Sequence, residues 1–251
     1  MNQPIPRVGA LAGDTHIRVT IRSHAMISLM DLCAKAYRRN MGILLIVPPE
    51  DALELDSFIR ALADRVAAAE PFMVEPGSAS LLWSPHLAEC CRIDRGIFIR
   101  QAGIMTETMR RNLELLAANL KQSKLIIARF SSDAACREGM TNWSSALQRL
   151  FAHQPLIWPA LSERYADFDG LVGSICVNFA TQKGRVRQVP VLTDQAMVEL
   201  QGQRHRNVAS LCTKIHSACD KIRRAKLIAI RPRHLHSSRP PSALPAETST
   251  P

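Results

Sequence analysis

Short apolar runs alternate with amphipathic stretches along the first two thirds of the chain. Continuous apolar runs at residues 43–47, 96–99 and 125–128 predict buried strands, and shorter runs at 71–74 and 156–158 predict two more. Apolar residues at three- and four-residue spacing predict helices at about 23–39, 51–68, 106–120 and 142–151, with Ser23 as the N-cap of the first. Strands that alternate with helices predict an α/β fold with a parallel sheet covered by helices.

Beyond Pro159 the pattern becomes helical. Further helices are predicted at 161–168, 171–181, 193–201 and 207–229. We therefore expect an α/β core over residues 21–160 and a small all-helical domain over 161–230 that ends in a basic helix. Residues 1–20 contain prolines and glycines and predict an irregular segment, and the Pro/Ser-rich residues 231–251 predict a disordered tail.

The positive charge is concentrated at the C-terminal end. From Arg204 onward there are ten basic and two acidic residues, so this segment carries +8 of the net charge of +10. Such a segment favours an anionic partner, either nucleic acid or an acidic protein face, or it is a solvated basic surface. The candidate nucleic-acid-binding residues are Lys214, Lys221, Arg223, Arg224, Lys226, Arg231 and Arg233.

Residues 43–55, ILLIVPPEDALEL, have the strand–loop–helix layout of a phosphate-binding loop but not its chemistry. Such loops need glycines, which let backbone amides wrap the phosphates, and a lysine that neutralises their charge. This loop has neither. Pro48 and Pro49 remove two amide donors, and Glu50 and Asp51 add negative charge, so we expect the loop to repel a triphosphate and to hold no cofactor.

Two later stretches carry a family resemblance. Residues 155–168, PLIWPALSERYADF, resemble the segment that joins core to helical lid in the AAA+ module of bacterial enhancer-binding proteins. Residues 192–200 and 207–211 resemble the lid motifs of the same family, the ATPases that remodel sigma-54 RNA polymerase. The resemblance covers about residues 21–222. It implies a P-loop NTPase fold, with an AAA+-like parallel sheet and a small all-helical lid domain.

The resemblance also implies that the catalytic groups are lost. Leu53 stands where the family has its phosphate-binding lysine, and Arg100 and Gln101 replace the Walker B carboxylates that would hold magnesium. The degenerate positions are Val47, Glu50, Leu53 and Glu54 in the loop, Arg100 and Gln101 at Walker B, and Ala209 at the lid arginine. Arg129 and Phe130 occupy the sensor positions, residues 140–145 supply no arginine finger, and no polymerase-contacting loop is recognisable between residues 77 and 94.

These patterns lead to one main hypothesis and three alternatives. The main one is a non-catalytic transcription-regulatory protein, a pseudo-ATPase without catalytic residues or cofactor, that acts by protein–protein contact. A genuine AAA+ enhancer-binding protein is one candidate partner. The alternatives are a nucleic-acid-binding accessory factor that uses the basic C-terminal segment, an ATPase with substitute residues, and the product of a decaying gene without a selected function.

The remaining features narrow the setting of the protein. No apolar run is long enough to cross a membrane, and the first residues lack the pattern of a secretory signal. The seven cysteines are scattered without a CxxC pair or zinc-site spacing, so we expect no metal site. Reduced cysteines and the absence of a secretory signal predict a cytoplasmic protein.

Overall fold

The computed structural model describes residues 17–74, 95–118, 124–184, 188–203, 205–225 and 227–236. Four predictions lie outside or partly outside these residues. They are the irregular segment at residues 1–20, the role of Lys226, the missing polymerase-contacting loop between residues 77 and 94, and the disorder of residues 237–251.

A five-stranded parallel sheet forms the centre of the larger domain. Its strands are β1 (Ile43–Ile46), β2 (Ala69–Val74), β3 (Arg95–Ile99), β4 (Ile126–Phe130) and β5 (Leu156–Ile157). Their order across the sheet is β2-β3-β4-β1-β5, and every neighbouring pair is parallel. The α/β fold with a parallel sheet is therefore confirmed. The central strands β1 and β4 are buried along their whole length, which explains their continuous apolar sequences.

Helices cover both faces of the sheet. Helices α1 (His24–Arg38) and α2 (Leu55–Arg65) pack on the face that carries Ile43, Leu45 and Ile127. The opposite face packs against α3 (Glu107–Ala118), α4 (Asp133–Thr141) and α5 (Ser145–Leu150). Ser23 accepts the Met26 N–H at 3.2 Å and is the N-cap of α1, as its sequence predicts.

The second domain, the lid, has its own hydrophobic cluster. It comprises α6 (Phe168–Gln182), α7 (Asp194–Gly202), α8 (Val208–Arg224) and α9 (Pro232–Leu235), with a two-stranded parallel sheet of β6 (Val191–Leu192) and β7 (Ala229–Ile230). Ile17 from the N-terminal segment is 2% exposed and packs into the same cluster. The N-terminal segment thus connects the lid with the core.

The lid departs from the sequence predictions at three places. Residues 161–167 form two 3-10 turns instead of a helix over 161–168. The last long helix ends at Arg224 and not at 229, because residues 229–230 pair as a strand with β6; the prediction of an all-helical lid is therefore wrong. The predicted tail begins too early, since Pro232–Leu235 is helical and Leu235 is 5% exposed within the lid cluster.

Gly96 lies tightly against the backbone of Leu125, the residue that precedes β4. The Ile97 N–H donates to the Leu125 carbonyl at 2.8 Å, and a Cβ on Gly96 would lie 1.9 Å from that carbonyl oxygen. The neighbouring atom belongs to backbone and cannot rotate away. The position therefore excludes every side chain unless β3 and β4 separate.

We expect Gly96→Ala to lower the free energy of unfolding by about 1–3 kcal/mol, because the added methyl group forces two paired strands apart. Urea denaturation followed by circular dichroism measures the change. Gly173→Ala is the matched control: Gly173 is exposed in α6, and a Cβ added there would have no atom within 4 Å. It should stabilise the protein by about 0.5–1 kcal/mol through helix propensity. Equal effects of the two changes would contradict the steric argument.

Candidate functional site

The loop that the resemblance assigns to phosphate binding leaves β1 at the carboxyl end of the sheet. Val47 is fully buried, and its N–H donates to the Phe130 carbonyl at 2.9 Å, which extends the pairing of β1 with β4. A 3-10 helix, Pro49–Glu54, follows and runs directly into α2. Glu50 is exposed on this turn. Because Pro48 and Pro49 have no N–H, the start of the turn offers few donors to an anion.

A buried arginine holds the end of this loop. Arg164, in the connection between core and lid, donates from Nη1 and Nη2 to the Glu54 carboxylate at 2.6 and 2.8 Å. Both side chains are completely buried. The Arg164 guanidinium also lies 5.7 Å from the centroid of the Trp158 ring. A bidentate pair of this kind fixes the orientation as well as the separation of the two groups.

Asp167 extends this network to the first helix. Arg164 Nε donates to Asp167 Oδ2 at 3.4 Å. Asp167 Oδ1 accepts the backbone N–H groups of Arg22 and Ser23 at 2.5 and 2.7 Å, and its Oδ2 accepts the Ser23 hydroxyl at 2.6 Å. The loop, the core–lid connection and the start of α1 are thus joined by one buried set of charged hydrogen bonds.

The charges in this network depend on each other. Burial raises the pKa of the Glu54 carboxyl, and the hydrogen bonds and charge of Arg164 oppose that shift. Burial lowers the pKa of the Arg164 guanidinium, but its interactions with Glu54 and Asp167 outweigh burial and raise it. Removing any one member leaves a buried charge without its partner.

Two further residues bind the loop to the lid. Asp51 Oδ1 accepts the Val208 N–H at 2.8 Å at the start of α8, next to Ala209. A carboxylate is favourable there because the N-terminus of a helix carries partial positive charge. Leu53 packs its side chain against the hydrophobic cluster of the lid. The side chain at the lysine position is therefore part of the contact between core and lid.

Arginines occupy the ends of β3 and β4. Arg100 follows β3 and forms an ion pair with Asp56 in α2, while Gln101 is exposed. Arg129, 9% exposed, donates from Nε and Nη2 to the Val47 carbonyl at 3.2 and 3.0 Å and from Nη1 to the Arg100 carbonyl at 3.2 Å. Positive charge at the end of the sheet disfavours a divalent cation.

A cleft of about 580 Å³ lies beside these arginines, between the ends of β3 and β4 and helix α4. Its charged lining residues are Arg100, Arg110, Arg129 and Glu138. Trp143 contributes one wall, and its ring packs against Phe130 and Phe151 at centroid distances of 6.0 and 5.1 Å. Residues 140–145, the arginine-finger region of the resemblance, thus contribute an aromatic core residue.

The predicted nucleic-acid-binding residues do not share one environment. The Lys214 ammonium donates to the Gln203 side chain, and the Lys221 ammonium donates to the backbone carbonyls of His234 and His236. Both lysines therefore bind parts of the lid to one another. The exposed members of the described set are Arg223, Arg224, Arg231 and Arg233.

Three residues that hold the loop are not predicted to do so by the sequence. The sequence identifies Asp51 only as a negative charge, Arg129 only as the occupant of a sensor position, and Arg164 only as a match to the family segment. One signal was available for Arg129: an arginine among the apolar residues of a buried strand needs specific partners. For the other two, the partners are 157 and 110 residues away along the chain, which no local pattern reports.

Solved structures of two other proteins have a similar fold. NtrX from Brucella abortus in complex with ADP aligns over 89% of this chain and 56% of its own, with 14% identity and a TM-score of 0.57. The ATP complex of the same protein aligns with a TM-score of 0.59. The Thermotoga maritima RuvB Holliday junction branch migration motor aligns over 84% of this chain and 66% of its own, with 12% identity and a TM-score of 0.57.

The fold is AAA+-like. No protein-family model matches the sequence, and no curated protein matches it. The chain spans little more than half the length of NtrX and about two thirds of RuvB. Because the identities are this low, the likeness extends to the fold and not to an activity.

The described residues contain neither a membrane span nor a metal cluster. No described helix is both long and apolar enough to cross a membrane. Within the same residues, no group of three or more His, Cys, Asp and Glu side chains is placed to hold a metal ion.

Proposed function

We propose that this protein is a non-catalytic regulatory protein that uses an AAA+ fold as a surface for protein–protein contact. The observation that carries the proposal is the contact between the phosphate-loop segment and the lid. Glu54 is bound by Arg164, Asp51 is bound by the N-terminus of α8, and Leu53 packs into the lid cluster.

These contacts oppose nucleotide binding in two ways. The lid side of the loop is filled by side chains of this chain, so a nucleotide would have to displace buried ion pairs and apolar packing. The carboxylates of Glu50 and Asp51 would also repel its phosphates. Arg100 and Arg129 are bound to Asp56 and to backbone carbonyls, which favours a structural role for both.

The resemblance to sigma-54 activators gives the proposal its expected partner. The linker and lid motifs of that family are retained in residues 155–168 and 192–211, while the catalytic positions are replaced. A subunit of this kind would join an assembly of a genuine enhancer-binding protein without contributing hydrolysis. Transcription regulation is therefore the process we propose.

We expect isothermal titration of the protein with ATP or ADP and magnesium to give no binding in the micromolar range, because the loop lacks donors and its lid side is filled. The AAA+ domain of an active enhancer-binding protein, titrated in parallel, is the positive control. The variant Leu53→Lys should not gain binding, since the Glu54–Arg164 and Asp51–Val208 contacts remain. Micromolar binding by the unaltered protein would overturn the proposal.

The partner is tested separately. The ATPase rate of an enhancer-binding protein from the same cell should change when this protein is added in equal amount. A rate that stays constant for every such activator would exclude this partner class.

A further inference from the structure

A groove of about 620 Å³ lies in the lid, away from the phosphate-loop segment. It is formed by the C-terminal ends of α6 and α8 and by the residues that precede β6 and β7. We call it the lid groove. Its apolar lining is Phe179, Ala180, Pro190, Ile222, Leu227 and Ile228, and its cationic lining is Lys183, Arg223 and Arg224.

The lid groove is positively charged. No carboxylate is among its described lining residues, and the nearby Asp220 pairs with Arg223 at 3.0 Å. The Lys183 ammonium lies 5.9 Å from the centroid of the Phe179 ring, which places this charge over the apolar wall. The described part of the groove therefore has three cationic lining residues and one carboxylate nearby, so it attracts anionic side chains.

The same groove exposes two apolar side chains on a hydrogen-bonded stretch of backbone. Leu227 is 44% and Ile228 is 57% exposed. Their backbone is held by two hydrogen bonds: the Leu227 N–H donates to the Ile222 carbonyl at 2.8 Å, and the Ile228 carbonyl accepts the Val191 N–H at 3.1 Å. Because the backbone is fixed, these side chains present a preformed apolar contact to a partner.

We infer that the lid groove is the docking site for an acidic amphipathic segment of a partner protein. An acidic segment complements Lys183, Arg223 and Arg224, and its apolar face would cover Leu227 and Ile228. The groove suits nucleic acid poorly for two reasons. Phe179 is 5% exposed and offers no face on which a base could stack. The exposed side chains of Leu227 and Ile228 make no favourable contact with phosphate groups. The inference names the contact surface of the proposed regulator and rests on that function.

The test is selection from a random-peptide phage library on the whole protein. We expect enriched peptides that combine Asp or Glu with large apolar residues. Their affinity should fall about tenfold or more in Arg224→Glu and in Leu227→Ser. The matched controls are Arg38→Glu and Leu32→Ser, the same changes at exposed positions of α1 in the larger domain. Both control variants should bind the peptides with unchanged affinity.

Three outcomes would overturn the inference. They are the absence of enriched peptides, enriched peptides that are neutral or basic, and peptides whose binding ignores Arg224→Glu and Leu227→Ser. A labelled DNA duplex is tested on the same variants, and DNA binding that falls in both would assign the groove to nucleic acid instead.

Failure of this inference is distinct from failure of the proposed function. If the protein binds ATP and still selects acidic peptides, the proposed function is wrong but the docking site stands. If it binds neither ATP nor acidic peptides, the docking site is wrong but the proposed function stands.

Discussion

Replacing Arg164 with alanine should lower the free energy of unfolding by about 3–5 kcal/mol, because it leaves two buried carboxylates without their cation. Glu54 would lose both of its hydrogen bonds to the guanidinium, and Asp167 would keep only those from Arg22 and Ser23. Urea denaturation followed by circular dichroism and tryptophan fluorescence measures the loss. Trp158, which contacts the guanidinium, reports directly on the site.

Two further variants test whether the loss of stability comes from the buried network and not simply from removing an arginine. Arg65→Ala removes an ion pair to Asp31 in which both side chains are about half exposed, and should cost about 1 kcal/mol or less. Adding Glu54→Gln to Arg164→Ala should recover part of the stability, because it removes one of the unpaired charges. If Arg164→Ala were no more damaging than Arg65→Ala, the network would not be a structural connection between loop and lid.

The sheet was the part of the fold most easily predicted from the sequence. Buried parallel strands require continuous apolar residues, so β1 and β4 could be found without knowledge of their partners. The lid was harder. Strands β6 and β7 have only two residues each, so their sequences carry no strand pattern and their pairing defines them. Residues 161–167 have helical spacing but form two turns, in which Arg164 donates a hydrogen bond to Asp167.

The contacts of the candidate loop were not predictable from the sequence. Its prolines and acidic residues led us to expect that it does not hold phosphate, and that expectation stays a prediction. The groups that bind the loop come from the lid and from the core–lid connection, and neither local propensity nor spacing places Val208 beside Asp51. A local pattern can be found in the sequence, whereas a long-range contact needs the fold.

Residues at the positions that the resemblance singles out make structural contacts of their own. The lid supplies an apolar surface for Leu53, and the N-terminus of α8 binds Asp51. We therefore expect a single substitution toward an AAA+ motif to disturb one of these contacts without creating a nucleotide site. Phe130, at the position that the resemblance assigns to a sensor, offers the strongest test of this idea.

Phe130→Asn, which places a polar sensor-like residue in β4, should cost at least about 4 kcal/mol of unfolding free energy. The ring is 1% exposed, packs on Trp143, and lies so close to Gly139 that a Cβ there would be 2.8 Å from Phe130 Cε1. Asparagine would leave a cavity and bring an amide into apolar surroundings. Because domains are stable by only about 5–15 kcal/mol, the variant should lose a large share of the stability of the protein.

Ser131→Asn is the matched control, since it introduces the same residue one position later, on an exposed site, and should change stability by less than about 0.5 kcal/mol. Thermal and urea denaturation of both variants, with nucleotide titration in parallel, separate two interpretations of the position. A stable Phe130→Asn variant that gains ATP binding would mean that the site has kept the geometry of a sensor. An unstable variant without binding means that the aromatic core has taken its place, and that ATP binding cannot be recovered at this position alone.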